Sequence, residues 1–324
     1  MQKDHCKTVC DKTGIVTLEI YYRDNRRHRD PVEGPALVRR SAKTGIATLE
    51  TYYRDNKRHR EPAEGPALVR RSAKTGDVSR AEYWVDGKLH RDPKDGPAVI
   101  VSCVKTGEVR RTEYWVDDRL HRDPEDGPAV SELSACKTVM LDHYFVDGRL
   151  HRKAEDGPAM VFTDRTTGIA FDLRFFENDK LCTRIGPSTT LFDAKTGELI
   201  SVRFESDEPG YVCNHRGEAG PSMMTFSNGK CTEIHFERFG RLHRENGPAL
   251  ICLDPETDII AEEGYYQDGR LHRALQEGPA ATERDPNDGR VVRQEFHLNG
   301  VFEPPPERPA DSIRRWPPLR VYHG

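Results

Sequence analysis

The sequence predicts an all-β fold, an elongated antiparallel meander or solenoid of about nine to ten stacked β-hairpin repeats. Three observations predict it. Gly-Pro pairs begin at Gly34, Gly65, Gly96, Gly127, Gly157, Gly186, Gly220, Gly247 and Gly278, spaced 31, 31, 31, 30, 29, 34, 27 and 31 residues apart. Asp-Gly or Asn-Gly turns recur in phase with them, at Asp86-Gly87, Asp147-Gly148, Asp268-Gly269 and Asn299-Gly300. The runs before those turns are β-branched and aromatic, and no sustained window has a helical period.

Composition fits a thin repeated seam better than two globular cores. Of 324 residues, 35% are hydrophobic and 32% charged, and mean hydropathy is −0.78. No apolar run approaches the ~18 residues of a membrane helix. Met1–Cys6 has no hydrophobic leader segment, so a cytoplasmic protein is expected. The eight cysteines form no Cys-x-x-Cys. Cys10 and Cys103 share a repeat column with Ser41 and Ser72, which reads as small filler with reduced thiols.

In chain order, residues 1–11 are read as an N-terminal cap. Residues 12–300 are the tandem 31-residue hairpins, irregular over 171–230. Residues 301–324 are a proline-rich tail or cap. Within one unit, Glu108–Val116 reads as a strand and Asp117-Asp118 as a two-residue turn needing positive φ. Arg119-Leu120-His121-Arg122 begins the return arm, which resumes at Ala129-Val130. The intervening Asp123–Pro128 is expected to bulge, since proline lacks the ladder donor. Lys-Thr-Gly turns at 12–14, 43–45, 74–76, 105–107 and 195–197 close the other end. Phe302–Pro309 is read as unable to continue the ladder.

Two aromatic columns run through the repeats. The first, Tyr21, Tyr52, Tyr83, Tyr114, Tyr144, Phe175, Phe204, Phe236, Tyr265 and Phe296, is expected in the core. Its neighbours point to the opposite face. Tyr22, Tyr53, Trp84 and Trp115 among them are a candidate platform for stacking or peptide binding.

The string Tyr83–Leu89, Tyr-Trp-Val-Asp-Gly-Lys-Leu, resembles the variant MORN repeats of bacteria, where an aromatic pair precedes Asn/Asp-Gly-Lys/Arg-Leu in tandem hairpins. The longer period and the His-Arg and Gly-Pro-Ala insertions depart from that pattern. The resemblance implies a β-sheet scaffold used for binding. Some bacterial members are labelled antitoxins, which implies a protein partner.

Eight His-Arg pairs, at His28, His59, His90, His121, His151, His215, His243 and His272, read as structural parts of a turn. A catalytic base needs one tuned environment. Equivalent histidines stand ~10 Å apart, too far to share a metal. No phosphate loop, metalloprotease motif or nucleophile elbow occurs, so no catalytic residue, metal or cofactor is assigned.

Functional information is sought where repeats disagree. Repeats one and two, Lys12–Ala42 and Lys43–Ala73, share 26 of 31 residues, which suggests duplication. Both carry arginines that repeat three lacks: Arg23, Arg27, Arg39 and Arg40, then Arg54, Arg58, Arg70 and Arg71. Residues 1–73 hold 16 Lys+Arg against 10 Asp+Glu, in a chain of net charge −4. Three readings follow: a solvated surface, a site for an acidic protein, or a nucleic-acid site using Tyr22 and Tyr53 as well. Arg314, Arg315 and Trp316 in the tail could dock on another chain or fold back as a cap. The expectation is a non-enzymatic binding or scaffold protein with a protein partner, antitoxin- or assembly-like. Nucleic-acid binding through the N-terminal repeats is the alternative, and an enzyme site in the irregular repeats is third. The sequence leaves the oligomeric state open.

Overall fold

Each turn requires a particular backbone, and the two turn types together set the chain path. The computed structural model describes residues 4–184, 186–205 and 220–306. It divides into two compact units, Met1–Arg152 and Lys153–Gly324, each an all-β antiparallel meander.

In the first unit, strands succeed one another from Asp4–Cys10 and Val16–Arg23, through Leu37–Arg40, Ala47–Thr51, Leu68–Arg71 and Val78–Glu82, to Val139–His143. Each pairs antiparallel with the next. The Lys-Thr-Gly turns join alternate pairs. Gly45, Gly76 and Gly107 take positive φ there, and the ladder slips by one residue at Arg39/Arg40, Arg70/Arg71 and Val101/Ser102. That slip is the bulge expected of a turn closed by a left-handed glycine.

The other end of each unit differs from the simple hairpin. The strand breaks at the first aromatic residue, whose N–H donates to the alanine of Gly-Pro-Ala, as in Tyr83 to Ala98 (2.8 Å). The next two residues leave the sheet and form a small side hairpin, Trp84–Val85 with Lys88–Leu89. Its turn has positive φ at both central residues, 49° at Asp86 and 87° at Gly87, as the sequence requires. Arg119–Leu120 likewise pairs only with Trp115–Val116, and the sheet partner of Val109–Glu113 is Val130–Leu133. The acidic loop between them is a single 3-10 turn in most units, such as Pro93–Asp95.

In the second unit the meander runs from Met160–Asp164 to Val291–Leu298. It crosses the irregular region without losing a pairing, because Leu199–Arg203 bonds directly to Met223–Ser227. The ends are both stranded, and one expectation about them is corrected. Asp4–Cys10 is a strand, exposed throughout, paired antiparallel to Val16–Arg23. Phe302 and Glu303 do continue the ladder, opposite His297 and Phe296, and proline intervenes only from Pro304. Arg314, Arg315 and Trp316 lie outside the described residues.

The core is narrow. Ala36, Ala67, Ala98, Ala129, Ala159, Ala249 and Ala280 are completely buried, as are Ser188 and Ser222 in the same column. The two serines return their hydroxyls to the Arg203 and His235 carbonyls, which removes the cost of burying them. Beside this column run Leu68, Val99 and Val130, each buried, at about 1.5–3 kcal/mol per side chain.

Candidate functional site

The repeated motif residues turn inward. In Arg29, Arg60, Arg91, Arg122, Arg152, Arg244 and Arg273, the guanidinium sits 3.7–4.2 Å over the first aromatic of its own unit. Arg91 also donates to the Pro97 carbonyl (3.0 Å), and its sister arginines do the same at 3.1–3.3 Å. Gly96 passes over that guanidinium with φ 115°, and a Cβ there would lie 3.2 Å from Arg91 Nη1. Aromatic, arginine, glycine and proline carbonyl therefore form one stack.

The histidines join successive units. The N–H of Asp86 donates to Nδ1 of His59 (3.1 Å), and Asp117, Asp147, Asp268 and Asn299 do likewise to His90, His121, His243 and His272. An accepting Nδ1 leaves the ring proton on Nε2, and His59 Nε2 lies 3.2 Å from the Glu61 carboxylate. Among the described residues, no group of three or more His, Cys, Asp or Glu could hold a metal ion.

The second aromatic column is partly covered: Tyr53 is buried, and Tyr22, Trp84 and Trp115 are half-buried. Tyr53 is buried at 9% exposure with Arg27 over its ring at 4.5 Å, and Trp84 lies under Arg58 at 4.8 Å. Tyr22 stacks on His5 at 5.0 Å. The indoles of Trp84 and Trp115 donate to buried Glu82 (2.8 Å) and Glu113 (2.6 Å). The side hairpins thus fold over one sheet face, and these rings fill the space between. Arg27 and Arg58 stand where later units have Leu89 and Leu120, and each lies over the next unit's ring.

The eight N-terminal arginines are consequently not one patch. Arg23 bonds Asp4 (3.1 Å) and His28 Nε2 (3.0 Å). Arg54 bonds Asp86 (2.6 Å), which holds that carboxyl below its ordinary range. Each Arg-Arg doublet splits between the two faces, as adjacent strand residues must. Arg40 and Arg71 take one face and reach Glu19 (3.5 Å) and Glu50 (3.2 Å). Arg39 and Arg70 take the other, the face that the side hairpins partly cover. Both are exposed, and neither has an ion-pair partner among the described residues.

Cross-strand register aligns these two with residues the sequence reading did not single out. The row runs Leu18, Arg39, Leu49, Arg70, Arg80, Val101, Arg111, Glu132, each directly opposite the next. Arg80 is held by Glu82, and Arg111 by Glu113 and Glu132 at 2.5 and 2.6 Å. The signal that would have found them is strand periodicity applied across repeats, which places every second residue of each arm on this row.

The second unit holds a separate cavity of about 260 Å³, lined by Glu262, Tyr266, Leu271, Ala281, Glu283 and Glu295 among others. The Tyr266 ring lies against Gly264, where a Cβ would stand 2.6 Å from it. Burial, with Glu262 and Glu233 nearby, pushes the Cys252 thiol up to about 11. No protein-family model matches the chain, and no match is found among curated proteins.

Proposed function

We propose that the protein is a non-enzymatic repeat scaffold whose first unit engages a protein partner through the row from Arg39 to Arg80. One observation carries this reading. The repeated histidines, arginines and aromatics are largely spent on internal contacts, whereas Arg39 and Arg70 are exposed, unpaired and aligned on one face. Arginine is a favoured residue at protein interfaces, and the fold does not need it here, since the next unit places Val101 in that column. Membership of the variant MORN-type repeats, an antitoxin- or assembly-like role and a cytoplasmic location belong to the same proposal. Nucleic acid is the less favoured partner, because Tyr53 is buried under Arg27 and Tyr22 already stacks on His5.

The test is photo-crosslinking in cells from a benzophenone residue at Leu49, in the wild type and in an Arg39→Ser/Arg70→Ser variant. A specific protein adduct that the double variant loses supports the reading. An adduct of equal yield in both, or none in either, overturns it.

A further inference from the structure

We infer that the partner segment is an acidic amphipathic helix lying across the strands, its axis along the arginine row. This rests on the reading above and adds the chemistry of the ligand.

The composition of the row comes first. Leu18, Arg39, Leu49 and Arg70 alternate apolar and basic on one face, and Arg70 stands directly opposite Arg80. Like charges directly opposite destabilise a sheet. Glu82 answers Arg80 from its own strand, but nothing among the described residues answers Arg70 or Arg39. Beyond Val101 the free charge ends, since Arg111 is closed by two carboxylates. The unanswered charge therefore runs from Arg39 to Arg70 over two strand steps, about 9.6 Å at ~4.8 Å per step, with Arg80, shared with Glu82, one step beyond.

Spacing then selects the ligand. Arg39 and Arg70 are two strands apart, ~9.6 Å. Acidic residues seven apart on a helix stand ~10.5 Å apart on one face, and the residue four along falls between them. An acid–apolar–acid stripe thus meets Arg39, Leu49 and Arg70 in order, and an acid at the eleventh position approaches Arg80. Carboxylates suit guanidinium forks, which bind them in bidentate fashion. An extended peptide fits poorly, because its same-face residues recur every ~6.7 Å. Nor can it add to the sheet here, because these strands are already paired on both sides.

The experiment measures fluorescence anisotropy of the full-length protein with labelled 18-residue helical peptides. One peptide carries Glu at i, i+7 and i+11 and Leu at i+4. A second has the same composition with the stripe scattered round the helix. A third replaces the three acids by Lys, and a 15-nucleotide oligo-dT is the fourth probe. The first peptide should bind best. Arg39→Ser and Arg70→Ser should each weaken it about tenfold, the scale of a truncated interface arginine. Arg71→Ser, whose side chain lies on the other face, should change it less than twofold. Arg39→Glu/Arg70→Glu should lose the acidic peptide and gain the lysine one, which also shows that the variant is folded. Equal binding of the scattered peptide, tighter binding of oligo-dT, no binding of any peptide, or absence of the charge-swap gain overturns the inference. If the Leu49 adduct still depends on Arg39 and Arg70 while the helical peptides fail, only the helix is refuted. If that dependence is missing too, the scaffold reading falls with it.

Discussion

Gly96→Ala tests the stack of arginine, aromatic and proline carbonyl that every regular unit repeats. Two separate costs are expected. Gly96 has φ 115° and ψ −173°, a region essentially reserved for glycine, and an L-residue forced there costs about 1–3 kcal/mol. Its new Cβ would also stand 3.2 Å from Arg91 Nη1, so the guanidinium must shift by tenths of an ångström. That shift loosens the 3.0 Å bond to Pro97 and the 4.0 Å stack on Tyr83, for about 1 kcal/mol more. The control is Gly107→Ala, at φ 74° with open space around it, expected to cost about 1–2 kcal/mol. Native-state hydrogen exchange of the Tyr83 and Ala98 amides, which bond Ala98 and Glu113, reads the local stability directly. In an Arg91→Ala background the steric share should vanish and the backbone share persist, a coupling of about 1 kcal/mol. Equal exchange rates in Gly96→Ala and Gly107→Ala would refute the stack as the reason for this glycine.

Arg70→Ser should leave the urea midpoint within the range of about 0.5 kcal/mol or raise it, because the side chain is unpaired and faces Arg80. His59→Ala should speed exchange of the Asp86 amide and destabilise by about 1–3 kcal/mol, since His59 is 4% exposed and that N–H loses its acceptor. Cys103 should alkylate with a pH midpoint of about 7, because the Thr106 hydroxyl and the Lys105 and Thr106 amides favour its thiolate. Cys252, held up at about 11, should react orders of magnitude more slowly at neutral pH, and peptide mass spectrometry after timed iodoacetamide distinguishes the two.

The turns were legible because their backbone demands leave few residue choices. Asp86-Gly87 and Lys105-Thr106-Gly107 could be placed from sequence, and both carry the positive φ they imply. The side hairpins were not legible. Tyr83 and Trp84 continue the strand alternation without a break in pattern, and only the tertiary bond from Tyr83 to Ala98 turns the chain away. The arginines were found by comparing repeats, but comparison alone pooled them. Strand alternation separates Arg39 from Arg40, whereas the stacking of Arg27 on Tyr53 depends on how one unit rests on the next. Arg80 and Arg111 stand where the first two repeats have Leu18 and Leu49, a departure passed over by a search for arginines that the first two repeats carry and the third lacks.

The histidine bonds all point one way along the chain. His59 accepts from the unit that follows it, as do His90, His121, His243 and His272, so each of these units carries the socket for its successor. A copied unit inserted in register therefore finds its contact already prepared and prepares the next. The near-identity of Lys12–Ala42 and Lys43–Ala73 sets Arg70 two strands beyond Arg39 in the same column. The arginine row behaves as a ruler that lengthens in fixed increments of ~9.6 Å. Its reach can change by whole units while each contact keeps its geometry.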